Sequence, residues 1–156
     1  MDIERRIRDL IKQLNLNIVY CEDMDKKGYY IENTNIIVIK QGLSYTDEIL
    51  VLLHEIGHAA KHKGESEIYN LTFALHSKFE NEAETYMIEK LIPYYLSQVD
   101  KEYVNWLHFM EIYKIDMKYQ YIVQNLLKYY ADSPQFISFI DWRFIGGENN
   151  GFKENR

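Results

Sequence analysis

A chain of 156 residues, 47% hydrophobic and 27% charged, is long enough for one domain with a buried core, or for one domain with a helical extension. The net charge of -6 argues against a large nucleic-acid footprint. No apolar run reaches the ~20 residues of a membrane span, and Met1 to Leu10 is too charged for a signal peptide. Cys21 is alone, so there is no disulfide framework and a reducing cytoplasm is the expected compartment.

In chain order, Ile3, Ile7, Leu10, Ile11 and Leu14 recur at helical spacing with Arg5, Arg6, Arg8 and Lys12 outside, which predicts a first helix over Asp2–Leu14. Asn15-Leu16-Asn17 ends it. Ile18-Val19-Tyr20-Cys21 reads as a strand, and Glu22 to Lys27 as a polar loop before Gly28. Tyr29-Tyr30-Ile31 and Ile36-Ile37-Val38-Ile39 flank Glu32-Asn33-Thr34-Asn35 as a hairpin. Three short antiparallel strands are thus expected before the next helix. An edge strand of such a sheet can hold an extended peptide by main-chain pairing, or the sheet can simply cover the helix.

The central helix carries His54-Glu55-Ile56-Gly57-His58. At ~100° per residue, two histidines four apart fall about 40° apart on one face, as two neighbouring ligands of a tetrahedral zinc require. Glu55 flanks the metal without sharing the ligand row, where it can act as general base towards water. Thr46 and Asp47 are candidate caps, and Gly64 a stop. Ile49, Leu50, Leu52, Leu53, Ile56 and Ala60 form a wide apolar arc, leaving His54, Glu55, His58 and His62 on the remaining sector. Gly57 costs roughly 1 kcal/mol relative to Ala inside a helix, and close approach of another helix is the expected reason.

Glu65 to Lys78 has apolar content without a clean period and reads as irregular or partly helical. From Glu80 to Pro93 helical geometry puts Glu80, Ala83, Glu84, Met87 and Leu91 on one face and Glu82 and Glu89 on the other. A carboxylate aimed at the core needs a partner, and zinc is one. Glu80 is therefore read as third metal ligand, with Glu84 the rival and Glu82 disfavoured by its facing. The competing account of Glu80 is a capping box at Ser77-Lys78-Phe79-Glu80. His62, one turn beyond His58, would be strained as a third ligand on the same straight helix and is read as supporting the site from behind; His76 is more often solvated.

The run from Gly28-Tyr29-Tyr30 through His54-Glu55-Ile56-Gly57-His58 and Glu80-Asn81-Glu82-Ala83-Glu84 to Leu91-Ile92-Pro93 resembles the ImmA/IrrE family of metallopeptidases. The family pattern is HExxH, often with a further histidine as at His62, then E-x-x-A-N/D-x-F-A and an aliphatic-Pro ending. Glu80 and Ala83 match, Tyr86 stands for the aromatic, and Glu84 and Met87 depart from the usual Asn/Asp and small residue. The resemblance covers roughly Asn17 to Pro93. It implies a cytoplasmic, gluzincin-like peptidase with one Zn2+ per chain, cutting a helix-turn-helix repressor of a phage or mobile element.

The expected architecture is α+β: a small three-stranded antiparallel sheet on a central HExxH helix, with a helical C-terminal half. Residues 1–93 form the peptidase core, 94–145 a helical extension packed on it, and 146–156 a disordered tail. In the extension, Tyr103, Trp106, Leu107, Met110 and Tyr113 make one stripe, and Tyr119, Ile122, Val123, Leu126, Leu127 and Tyr130 another, joined by a turn at Lys114-Ile115-Asp116. Ser133-Pro134 begins a last short helix. The charges flanking this hairpin are mixed, which suits core packing or partner docking better than phosphates. A regulator that keeps the metal but acts by binding a partner or DNA is the alternative function. A purely structural zinc site is disfavoured because it has no use for a base at Glu55.

Overall fold

The computed structural model describes residues 2–64 and 73–133. Among these are five α-helices and one three-stranded sheet, an α+β arrangement. The chain divides into two compact units, Asp2–Lys90 and Leu91–Arg156.

In the first unit α1 spans Ile3–Gln13. Asp2 caps it by accepting from the backbone N–H groups of Glu4 and Arg5, which satisfies two donors the helix itself cannot. Ile3 and Ile7 are its buried residues. Asn15, left-handed at φ 52°, turns the chain into β1 (Asn17–Cys21). β2 (Gly28–Ile31) and β3 (Ile36–Lys40) follow, joined by a single 3-10 turn over Glu32–Thr34 and a left-handed Asn35. The Asn35 side chain accepts from the Tyr30 hydroxyl and donates to the carbonyls of Leu14 and Asn15, tying this turn to the end of α1.

The sheet is mixed, not antiparallel throughout. Its order is β1-β3-β2, with β1 parallel to β3 and β2 antiparallel to it. Burial explains the order. Ile37, Val38 and Ile39 are all buried, so β3 belongs in the centre, while Val19 and Tyr20 of β1 are exposed. The Glu22–Lys27 connection therefore crosses two strand spacings, about 10 Å, instead of closing a hairpin.

α2 (Tyr45–Lys61) lies against β2 and β3 and also contacts α1. Its cap is Ser44, whose hydroxyl accepts from the Asp47 N–H; Thr46 and Asp47, favoured by the sequence, are already in the first turn. Ile49, Leu52, Leu53 and Ile56 of the expected arc are buried and Leu50 is half-buried, but Ala60 is exposed and Ala59 is buried instead, so the inward face is turned slightly from the expected one. The helix ends at Lys61, and Gly64 beyond it is left-handed at φ 90°.

α3 (Phe73–Gln98) begins inside the stretch read as irregular or partly helical, and residues 65–72 of that stretch lie outside the described residues. It also runs through Pro93, where the sequence suggested an end. A proline costs one i→i−4 bond to the Glu89 carbonyl, and the apolar run Leu91, Ile92, Tyr95 and Leu96, all essentially buried, outweighs that.

The second unit continues from Leu91 of α3 through a 3-10 turn at Lys101–Tyr103 to α4 (Trp106–Ile112), a second 3-10 turn at Met117–Tyr119, and α5 (Gln120–Ala131). α4 and α5 pack on each other, joined through a left-handed Lys114. Tyr95 is its hub. The ring meets His108, Phe109 and Tyr113 edge-on, and the hydroxyl lies 2.8 Å from His108 Nδ1. Phe109, Met110, Tyr113, Val123 and Leu127 are buried, whereas Tyr103 and Leu107 of the expected stripe are exposed. The helix expected after Ser133 and the tail at 146–156 lie outside the described residues.

Candidate metal centre

Two helices build the site. α2 supplies His54, Glu55 and His58, and α3 supplies Glu80 and Glu84. Their close approach depends on Gly57. A Cβ there would stand 2.9 Å from the Ala83 carbonyl oxygen and 3.0 Å from Ala83 Cα, and neither backbone atom can yield easily. Ala83, itself fully buried, is the matching small residue on α3.

With the backbones this close, one ligand-type atom each from His54, His58 and Glu80 falls within a sphere where all lie within 4.8 Å of one another. The Nε2 atoms of the two histidines flank the Glu80 carboxylate, His54 at 3.2 Å from Oε2 and His58 at 3.3 Å from Oε1. A tetrahedral zinc with bonds of about 2.0–2.1 Å spaces its ligand atoms by about 3.3 Å, close to both of these distances, so the donor set suits such an ion. Two imidazoles and a carboxylate, leaving a fourth position for water or substrate, is also the donor pattern of catalytic zinc rather than structural zinc.

The Nδ1 atoms point the other way. His54 Nδ1 lies 2.9 Å from Glu84 Oε2, so Glu84 stands behind the histidine and away from the Glu80 carboxylate. A carboxylate here fixes the ring, with Nδ1–H donating to it; without a metal Nε2 also carries a proton, towards Glu80, and a metal ion would displace that proton to use the lone pair. Burial disfavours a charged His54, but hydrogen bonds to Glu80 and Glu84, with the charges of Glu55 and Glu84, outweigh that and push its pKa up to about 10. His62 is buried, with Nδ1 3.2 Å from His58 Nδ1 and Nε2 2.7 Å from Glu82 Oε2. His76 lies on α3 one turn before Glu80. Ser77 to Glu80 lie within α3, so no capping box forms there.

Glu55 is buried beside the two histidines. Burial raises its pKa, the charges of His54 and His58 oppose that, Glu80 adds to the rise, and a hydrogen bond from the Tyr30 backbone favours the ionised form. A carboxyl held above its usual range is a better proton acceptor than an ordinary carboxylate.

The Tyr30 N–H is free for this because of the strand register. Lys40 N–H donates to the Lys27 carbonyl, and Tyr29 pairs with Val38. Bonded pairs alternate in an antiparallel ladder, so Gly28 and Tyr30 turn their N–H and C=O groups away from β3. Among the described residues β2 has no strand partner on that side, where the Tyr30 N–H donates to Glu55.

Sequence reasoning missed two participants. Tyr30 acts through its backbone, which no residue pattern displays. Glu82 was set aside by its facing, which holds for the ligand row but not for a histidine that has left the helix at its C-cap.

No curated protein and no solved structure gives a significant match to the chain. The profile of peptidase family M78, described as the IrrE N-terminal-like domain, matches residues 11–119, well over half of the 156. That span contains α2, the whole sheet and the Glu80 turn of α3, so the His-His-Glu cluster sits within it. The chain belongs to the IrrE N-terminal-like family of metal-dependent peptidases.

Proposed function

We propose that this protein is a zinc-dependent endopeptidase that cuts one specific protein in the cytoplasm, and that its substrate is a helix-turn-helix repressor of a phage or mobile element. The observation that carries the reading is the His54, His58 and Glu80 cluster with a buried Glu55 beside it. His54, His58 and Glu80 would hold the ion, and Glu84 would orient His54. When bound, zinc supplies a Lewis acid that polarises the scissile carbonyl and makes water acidic enough to attack near neutral pH.

The chain's own groups do the rest. Glu55 takes the proton of the attacking water and passes it to the leaving amine. The outward groups of Gly28 and the Tyr30 carbonyl offer main-chain pairing to an extended peptide, the Tyr30 N–H being engaged by Glu55, which favours a peptide substrate over a small ester or sugar. The resemblance to ImmA/IrrE proteins supports the repressor as substrate, and the net charge of -6 speaks against direct DNA binding. Among the described residues no helix is long and apolar enough to cross a membrane.

The test is repressor integrity on a gel. The candidate is a small helix-turn-helix repressor encoded beside this chain, incubated with wild type and with Glu55→Gln. The variant keeps both histidines and Glu80, so it should fold and bind zinc yet lose several orders of magnitude in cleavage. Equal regulation in vivo by the two proteins would instead favour a regulator that works by binding.

A further inference from the structure

The two histidines of the cluster are supported unequally. His54 has a carboxylate directly behind it, at Glu84. Behind His58 stands another imidazole, His62, and behind that stands Glu82. We propose that Glu82 and His62 form a two-link positioning chain for His58, running from the metal centre to the surface. The inference rests on the metallopeptidase reading above and adds to it a residue, Glu82, whose position on α3 faces away from the ligand row.

The hydrogen-bond chemistry of the chain closes in one way. If His58 offers Nε2 to the metal, its proton must sit on Nδ1. That proton points at His62 Nδ1, 3.2 Å away, which must then be the acceptor. His62 in turn carries its proton on Nε2, 2.7 Å from Glu82 Oε2, and a carboxylate accepts it. Each donor meets one acceptor, with Glu82 ionised and both imidazoles neutral. Reversing any link leaves two protons or two lone pairs facing each other.

Local structure puts each member in place. α2 ends at Lys61, and His62 leaves the helix at φ -122°, so its side chain departs from the His54–His58 row. Its ring comes to rest on Phe79, centroids 4.3 Å apart, and Phe79 is three residues before Glu82 on α3. α3 thus shows α2 three adjacent columns: Glu80 and Glu84 towards His54, Ala83 against Gly57, and Phe79 and Glu82 towards His62. Glu82 is 41% exposed and lines a surface hollow of about 790 Å³ with Lys61, Lys78 and Asn81. Lys78 Nζ, 3.8 Å from Oε1, holds the carboxylate from the far side and leaves Oε2 to His62.

The test reads zinc affinity by chelator competition, the visible spectrum of the cobalt-loaded protein, and the Tm of the metal-free protein. Glu82→Ala and His62→Phe should each weaken zinc by about 10- to 100-fold, because an unanchored ligand imidazole loses its orientation. The phenyl ring keeps the stacking on Phe79 but has no acceptor, so packing is separated from positioning. Glu82→Gln retains an oxygen for the His62 N–H and should restore most of the affinity. In the His62→Phe background Glu82→Ala should cost nothing further, since the chain is already broken. The cobalt spectrum should change with the affinity, while Glu89→Ala, elsewhere in the hollow, leaves both as in wild type.

Wild-type affinity in Glu82→Ala, or losses that simply add in the double variant, would overturn the chain while leaving the peptidase reading intact. A fall in metal-free Tm with unchanged zinc affinity would reduce His62 to a packing residue. A wild-type protein that takes up no zinc would remove the peptidase reading and the chain together.

Discussion

The two imidazoles divide their nitrogens between tasks: Nε2 towards Glu80, Nδ1 towards the supporting groups. His54→Ala and His58→Ala should therefore each abolish stoichiometric zinc, read by metal analysis of the purified proteins; full occupancy in both would place the site elsewhere. Glu80 and Glu84 occupy opposite sides of His54, so their variants should differ in kind. Glu80→Ala should lose the metal outright, and Glu84→Ala should weaken it by about 10- to 100-fold. The reverse order in a zinc titration would exchange their roles. His54 and His58 were legible in the sequence because helical spacing fixes which side chains share a face. The same rule brought Glu80 and Glu84 forward together; the preference for Glu80 agrees with the cluster, but only the placement of α3 separates the two. Ser44 was equally hidden: Thr46 and Asp47 have the same capping chemistry, and only backbone geometry chooses among them.

At the level of elements, the meeting of α2 and α3 at Gly57 and Ala83 decides whether a site exists at all. Gly57→Ala brings the better helix former, worth about 1 kcal/mol, but it drives a methyl into backbone atoms of α3. Overpacking of that sort costs about 1–3 kcal/mol. Steric cost should win, lowering the metal-free Tm by a few degrees and zinc affinity with it, because the helices carry different ligands. A rise in Tm with unchanged zinc binding would show that the contact is looser than the distances indicate. The glycine's purpose could be inferred from sequence, since a costly residue mid-helix implies a neighbour. Strand order could not. Alternation and β-propensity identify strands, but whether β3 inserts between β1 and β2 depends on total burial, which is a property of the assembled sheet. α3 was misjudged for a related reason: Pro93 is a strong local signal, and the buried run on either side of it is stronger.

For the molecule as a whole, a metal held by this cluster would be a source of stability as well as chemistry. Ligands on two helices of one unit cannot be assembled in the unfolded chain, so zinc in the proposed site would bind the native state and stabilise it. At a free zinc level 100 times Kd the gain is about 2.7 kcal/mol, which for a protein of this size raises Tm by roughly 5–10 °C. Thermal melts with and without chelator should show that gap in wild type, and it should vanish in His58→Ala. An equal response in both would mean zinc acts at another place. The presence of two helical elements after Pro93 was readable from apolar stripes. The division at Lys90 and Leu91 was not, because it falls inside a continuous helix.

The outward-turned groups of Gly28 and the Tyr30 carbonyl have a consequence for the proposed substrate. A strand edge pairs only with backbone whose own N–H and C=O groups are unspent, and a folded helix has none to offer. If the proposed repressor of packed helices is the substrate, it must therefore open locally before it can lie along β2. The pace of its destruction would then follow the stability of one short segment of the repressor, with the peptidase itself constant. Conditions that loosen that segment would switch the repressor off with no signal to the enzyme.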